Sequence, residues 1–290
     1  MRTLQSVNRV LFIIPCLLLL MVALAPRSAL AAPVALITDV QGRATLTTAG
    51  RSADAGVLAD IEPGTQLQLP ANSKLMVLYF ADGSQYLLQG PAQVVFRIDR
   101  PEVASGVPAV RRAAPTGPTS QIKPGGLGQG AIVLRSLGNL RIRLLSASNT
   151  LLLENQPELR WMAPEAGLRY SIHIADDTGR SLHQSELEGT SFVVPASLQL
   201  RDGVAYGWQI SAQAPDGRRY IGRGEFGLAN PQLRAQVEAA RGVAGSEVAS
   251  QVTLAVWLEQ QELRDEARKL WRALAILRPQ AEQIRAMAER

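Results

Sequence analysis

The stretch VLYFADGSQYLLQGP, Val77 to Pro91, sets two apolar runs on either side of the tetrad Ala81-Asp82-Gly83-Ser84. An Asp and a Ser raised between strands could form a reactive corner or a turn. Asp-Gly is the preferred central pair of a two-residue type I′ hairpin turn. Glycine takes a positive φ without steric cost, and Asp bonds its own backbone there. No second acid or histidine lies nearby in sequence to share proton work with Asp82. Asp82 and Gly83 are therefore read as the register-fixing turn of a hairpin.

Working outward, short strand signals recur from residue 33 to 100. Val34–Ile37 leads to Gln41-Gly42 and then Ala44–Thr48; Pro63-Gly64 precedes Thr65–Leu69; Leu75–Phe80 and Gln85–Leu88 flank the tetrad. This spacing, without helical period, predicts an all-β unit. Leu75–Phe80 is apolar at both alternating positions, as in a strand covered on both faces. Residues 101–131 are rich in Pro, Gly, Ser and Thr and read as a flexible linker. Strand patterns return at 132–229, with Tyr170–Ile174 alternating before the turn signal Asp176–Gly179. Residues 230–290 are helical. Asn230-Pro231 supplies a cap and a first-position proline, Gly242–Gly245 a break, and Ser246 a second cap, with apolar spacing at Val248, Val252 and Val256.

At the N-terminus, Arg2 and Arg9 precede the uncharged run Val10–Ala25, and Ala29-Leu30-Ala31 follows. That order predicts a secretory signal over residues 1–31, cut before Ala32, and a periplasmic or other extracytoplasmic location. Left uncleaved, the same segment would be an inner-membrane anchor. The chain is +5 overall, but residues 1–31 hold three Arg and no acid, which leaves 27 basic residues against 25 acidic ones. So even a balance gives no electrostatic footprint for nucleic acid. The single cysteine, Cys16, falls in the predicted signal, so the exported part has no disulfide.

Other candidates for chemistry were weighed in turn. His173 and His183, the two histidines, would approach across a hairpin but are too few for a closed zinc site. Gly222-Arg-Gly-Glu-Phe-Gly227 matches G-x-G-x-x-G, yet it precedes no helix of a βαβ unit. The expectation is a non-enzyme with no metal, no cofactor and no small-molecule substrate.

Three resemblances sharpen this. Val34–Val40 with Gln41-Gly42, Glu62–Leu67, and Leu75–Gly90 centred on Asp82-Gly83-Ser84 resemble the FecR domain of bacterial extracytoplasmic proteins. The resemblance implies a small β-roll or solenoid-like unit over 32–100 that engages protein partners. Glu158–Trp161 and Leu200–Trp208 resemble a fibronectin type III-like β-sandwich over 132–229, which would bury Trp161 and Trp208 and let the Tyr206 hydroxyl bond backbone. Leu254, Ala255, Leu258, Ala267, Trp271 and Pro279 resemble one tetratricopeptide repeat, with Glu262 where many repeats have Gly. A lone repeat leaves a face uncovered. Together these imply a mainly β fold with a helical C-terminus. The implied role is an envelope scaffold or adaptor, a FecR-like relay to a membrane partner, or an envelope glycan binder.

Overall fold

A computed structural model describes residues 32–112, 119, 122–123 and 140–290. The predicted signal segment lies outside the described residues. The described chain is mainly antiparallel β-sheet followed by a helical region.

The first β unit contains β1 (Ala35–Gln41), β2 (Thr45–Thr48), β3 (Arg51–Asp54), β4 (Asp60–Ile61), β5 (Gln66–Leu69), β6 (Lys74–Tyr79), β7 (Gln85–Gln89), β8 (Ala92–Phe96), β9 (Pro101–Gly106) and β10 (Val110–Arg112). These form two sheets, ordered β10-β7-β6-β1-β4 and β3-β2-β5-β8-β9. Ile37, Leu67, Leu75, Val77, Tyr79, Val94 and Phe96 belong to the apolar core of this unit. Leu36 and Leu78, on the other face of the first sheet, belong to the helical core instead. The run Leu75–Phe80 is thus covered on both sides, as its sequence predicts. Residues 101–112 are strand, not linker. β9 pairs β8 from Phe96↔Pro101 to Ala92↔Gly106, and β10 pairs β7. Both lie at sheet edges with most side chains exposed, so they lack the apolar alternation that marks a strand in sequence.

The second β unit contains β11 (Leu140–Arg141), β12 (Thr150–Leu152), β13 (Glu158–Arg160), β14 (Tyr170–Asp176), β15 (Ser181–Leu187), β16 (Ser191–Val193), β17 (Ala205–Gln213) and β18 (Arg219–Leu228). A large sheet runs β11-β18-β17-β14-β15, with β12 also on β18, and β13-β16 forms a second. The G-x-G-x-x-G match lies within β18. A Cβ on Gly222 would sit 2.8 Å from Leu144 Cδ2, and one on Gly224 2.9 Å from Ala147 O and 2.6 Å from Trp208 Nε1. These glycines let the segment 142–147 cross close over the strand. They hold a neighbour's backbone and no phosphate.

The helices are α1 (Pro231–Ala244), α2 (Val248–Gln260), α3 (Arg264–Leu277) and α4 (Glu282–Glu289). Asn230 Oδ1 accepts from Leu233 N at 2.8 Å, capping α1 ahead of Pro231. The expected break starts later, since Gly242 is helical and Gly245 carries φ +56. Glu247, not Ser246, is the cap residue of α2, and its side chain makes no cap bond. In α2, residues Val252 to Leu258 are all buried, which identifies a helix enclosed on every side. Its cover comes from α1 and α3, from Leu36 and Leu78 of the first β unit, and from Ala229 beside the second. Residues Pro33–Arg290 form one compact unit. No described helix is long and apolar enough to cross a membrane.

Candidate interaction site

The tip of the β6–β7 hairpin is not the two-residue turn the sequence suggests. Tyr79 N donates to Ser84 O and Gly83 N to Tyr79 O, both at 2.9 Å, enclosing a four-residue loop, Phe80–Gly83. Gly83 has φ +68, whereas Asp82 is not among the residues with positive φ, so the type I′ requirement at both central positions is unmet. Side-chain bonding decides the outcome. Asp82 accepts from Ser84 N at 2.9 Å and from Ser84 Oγ at 2.6 Å, and the longer loop lets Phe80 pack on the helical core.

Arg111 of β10 completes this corner. Its Nη2 reaches Asp82 Oδ2 at 3.0 Å and Ser84 Oγ at 2.8 Å. Burial works to raise the Asp82 carboxyl, but the bonds from Ser84 and Arg111 outweigh it and hold the group below the usual aspartate range. Ser84 is 1% exposed and already donates to a carboxylate. The corner fastens an edge strand to a hairpin; an ionised, bonded acid beside a sequestered hydroxyl offers no base for proton transfer.

The aromatic residues singled out in the second unit pack in its core. Trp161 is 1% exposed and meets Tyr170 edge-on at 5.4 Å and Trp208 at 6.4 Å. Trp208 Nε1 donates to Ala147 O at 2.7 Å. The Tyr206 hydroxyl accepts from Arg201 N at 2.7 Å while its ring stacks on Phe226 at 5.5 Å. His173 pairs with Gln184 in register and His183 with Ile174, so the two imidazoles fall on opposite faces of the sheet. They bond Ser181 and Ser185 instead, each at 3.0 Å. No group of three or more metal-ligating side chains occurs among the described residues.

What the structure does bring together is a junction around the α2–α3 hairpin. Glu262, between the helices, takes φ +61 and so occupies the left-handed position with a Cβ in place. Its carbonyl accepts from Leu151 N at 2.8 Å and Thr150 Oγ1 at 3.1 Å, docking the hairpin on β12. Asp265 Oδ2 accepts from Ala147 N at 2.7 Å, and Arg268 pairs with Asp265 at 2.8 Å. Ala267 and Trp271 are fully buried between the helices, and the exposed Pro279 lies in the turn that follows α3.

The first β unit is tied to the same hairpin. Arg278 Nε and Nη2 grip the two oxygens of Asp39 at 2.9 and 3.0 Å, a bidentate pair between residues 239 apart in sequence. Arg112 of β10 pairs with Glu247 at the start of α2. Gln260 clamps Lys123, with Lys123 N to Oε1 at 3.0 Å and Nε2 to Lys123 O at 2.8 Å. No sequence signal pointed to Asp39, Arg278 or Gln260. Long-range polar pairs leave no local pattern. By contrast, Trp257, buried in α2, repeats the apolar spacing already visible at Val252 and Val256.

Two surfaces remain open. The outer face of the large sheet carries Ser171, His173, Gln209, Ser211, Arg219 and Arg223, shaped into two shallow depressions that share Gln209. On α3, Ile276 is 80% exposed and Leu277 56%.

No family model matches the chain, and comparison with curated proteins finds no match. Among solved structures, the chain is similar to CopC from Methylosinus trichosporium OB3b, at 20% identity over 30% of this chain and 93% of that one, with a TM-score of 0.23. It is also similar to the pectate lyase Pel3 from Pectobacterium carotovorum, at 12% identity over 32% and 27% of the two chains, with a TM-score of 0.21. A cytokine receptor complex matches at 12% identity over 68% of this chain and 90% of that one, with a TM-score of 0.22.

Proposed function

We propose that the chain is a non-enzymatic, exported scaffold or adaptor of the bacterial cell envelope. In this reading a FecR-like β unit, a fibronectin type III-like sandwich and one tetratricopeptide-like hairpin act as a single preassembled body. The observation that carries it is the junction at α2 and α3, where one helical hairpin is bonded to both β units through Asp39–Arg278 and Glu262–Leu151. An enclosed hairpin of this kind fixes the geometry between modules, which is the physical requirement of a scaffold. The Tyr206 hydroxyl bond to Arg201 supports the type III-like assignment, and the buried Ala267 and Trp271 support the repeat-like one.

The partner of this reading is an envelope protein, one held in a membrane included, and not nucleic acid or a small molecule. Its test is capture from an envelope extract on immobilised chain, comparing wild type with Ile276→Asp/Leu277→Asp and with Arg219→Asp/Arg223→Asp. Loss of one captured protein in one surface variant, with an unchanged melt, is the expected result. Deleting residues 230–290 would be a poor test because it uncovers Leu36 and Leu78. Turnover of a substrate by the purified chain, abolished by one acid substitution, would sink the reading.

Signal relay to a membrane partner is a second reading, favoured by the cover of α2. Residues next to both β units lie in its apolar cluster, so a displacement in either unit reaches the same helix.

A further inference from the structure

The sequence between Arg112 and Ala131 contains two large aliphatic residues, Ile122 and Leu127. Ile122 is 4% exposed and sits in the apolar cluster built by α2, α3, Leu36 and Leu78. The next residue is held by its backbone alone: both its N–H and its C=O bond the Gln260 amide, at 3.0 and 2.8 Å, while Lys123 is exposed. A side-chain amide that donates to and accepts from one residue's main chain offers what a neighbouring strand would offer. Thr119, also buried at 4%, is a further foothold.

From this we infer that the Gln260 face of α2 is a docking site for an extended peptide, filled in this molecule by the chain's own Ile122 and Lys123. The grip consists of one aliphatic side chain and one amide clamp. The clamp reads backbone, so it fixes no residue type beyond requiring a free N–H, which excludes proline. The pocket under Ile122 supplies the selectivity. The matching partner is therefore an extended segment with a branched aliphatic residue followed by any non-proline residue. A tethered occupant competes at an effective concentration of about millimolar. A partner segment must exceed that advantage, so the dock is self-occupied at rest. The adaptor reading gives this site its use, but the dock is testable without it.

The test uses a fluorescein-labelled decapeptide of residues 117–126 and the unit from Pro33 to Arg290, followed by fluorescence anisotropy. Ile122→Asp removes the internal competitor and is expected to bind the peptide at least tenfold more tightly than wild type. Adding Gln260→Ala in that background is expected to weaken binding about tenfold, and a peptide with Asp at the Ile position should not bind. If Ile122→Asp melts below wild type, Lys123→Pro serves instead, because it removes the clamped N–H and leaves the apolar contact. Equal binding to wild type and variant, no binding to either, or indifference to Gln260→Ala would overturn the inference and make the segment a fixed part of the core. These outcomes are separate from partner capture, so a failed dock leaves the adaptor reading standing, and the reverse.

Discussion

The first-unit sheet centred on β6 and the second-unit sheet centred on β14 and β17 share antiparallel pairing and differ in what covers them. Outward from the first sheet, Leu36 and Leu78 are buried under helices, at 3% and 1% exposure. Outward from the second, Ser171, His173, Gln209 and Ser211 line open depressions. The amino acids anticipate this. β6 reads as a near-continuous apolar run, and β14 alternates Tyr170, Ile172 and Ile174 with Ser171 and His173. A strand's second face thus reports on the third layer of the molecule before any contact is known.

The contrast can be broken most forcefully at Leu78. Leu78→Ala is expected to cost about 2 to 5 kcal/mol, since the cavity opens beneath packed helices. Chemical denaturation followed by tryptophan fluorescence would measure it, and a loss under about 1 kcal/mol would mean the helices do not cover this sheet in solution. Gly83→Val comes next, at about 1 to 2 kcal/mol, because a β-branched residue resists φ +68; a thermal melt reads this directly.

Asp82→Asn is smaller but carries a pH signature. The folded carboxyl lies below its usual range, so the stability it contributes is present above the unfolded value of about 3.9 and fades as pH falls through the folded value. Melts of wild type and variant should therefore differ by up to about 1 kcal/mol at neutral pH and converge in acid. A gap that persisted or widened in acid would show that Arg111 and Ser84 do not hold the ionised form. Glu262→Gly is expected to stabilise by about 0.5 kcal/mol, because glycine relieves the left-handed strain and loses part of the gain to unfolded-chain entropy. The smallest effect falls on the open sheet: His173→Gln should stay within about 0.5 kcal/mol in the same denaturation series.

The legible features are those with a local cause. Alternation, the Asn230 cap, the buried tryptophans and the aliphatic spacing of α2 are all set by neighbours within a few residues, so sequence carries them. The turn at Asp82 was legible as a turn but not as its type, because Ser84 and Arg111 chose the longer loop. β9 and β10 were hidden because edge strands with solvated sides need no apolar pattern. The candidate junction was hidden for a different reason. Asp39 and Arg278, or Lys123 and Gln260, are ordinary surface residue types until the chain brings them together.

By itself, then, the sequence determined that there are two β units and a helical end, and that one strand must be covered twice. Tertiary structure alone decided what does the covering. A strand pattern records that a side chain avoids water and says nothing of which apolar surface replaces it. That choice is made by contacts more than a hundred residues apart in the chain, which turned a hairpin read as awaiting a partner into the enclosed centre of its own molecule.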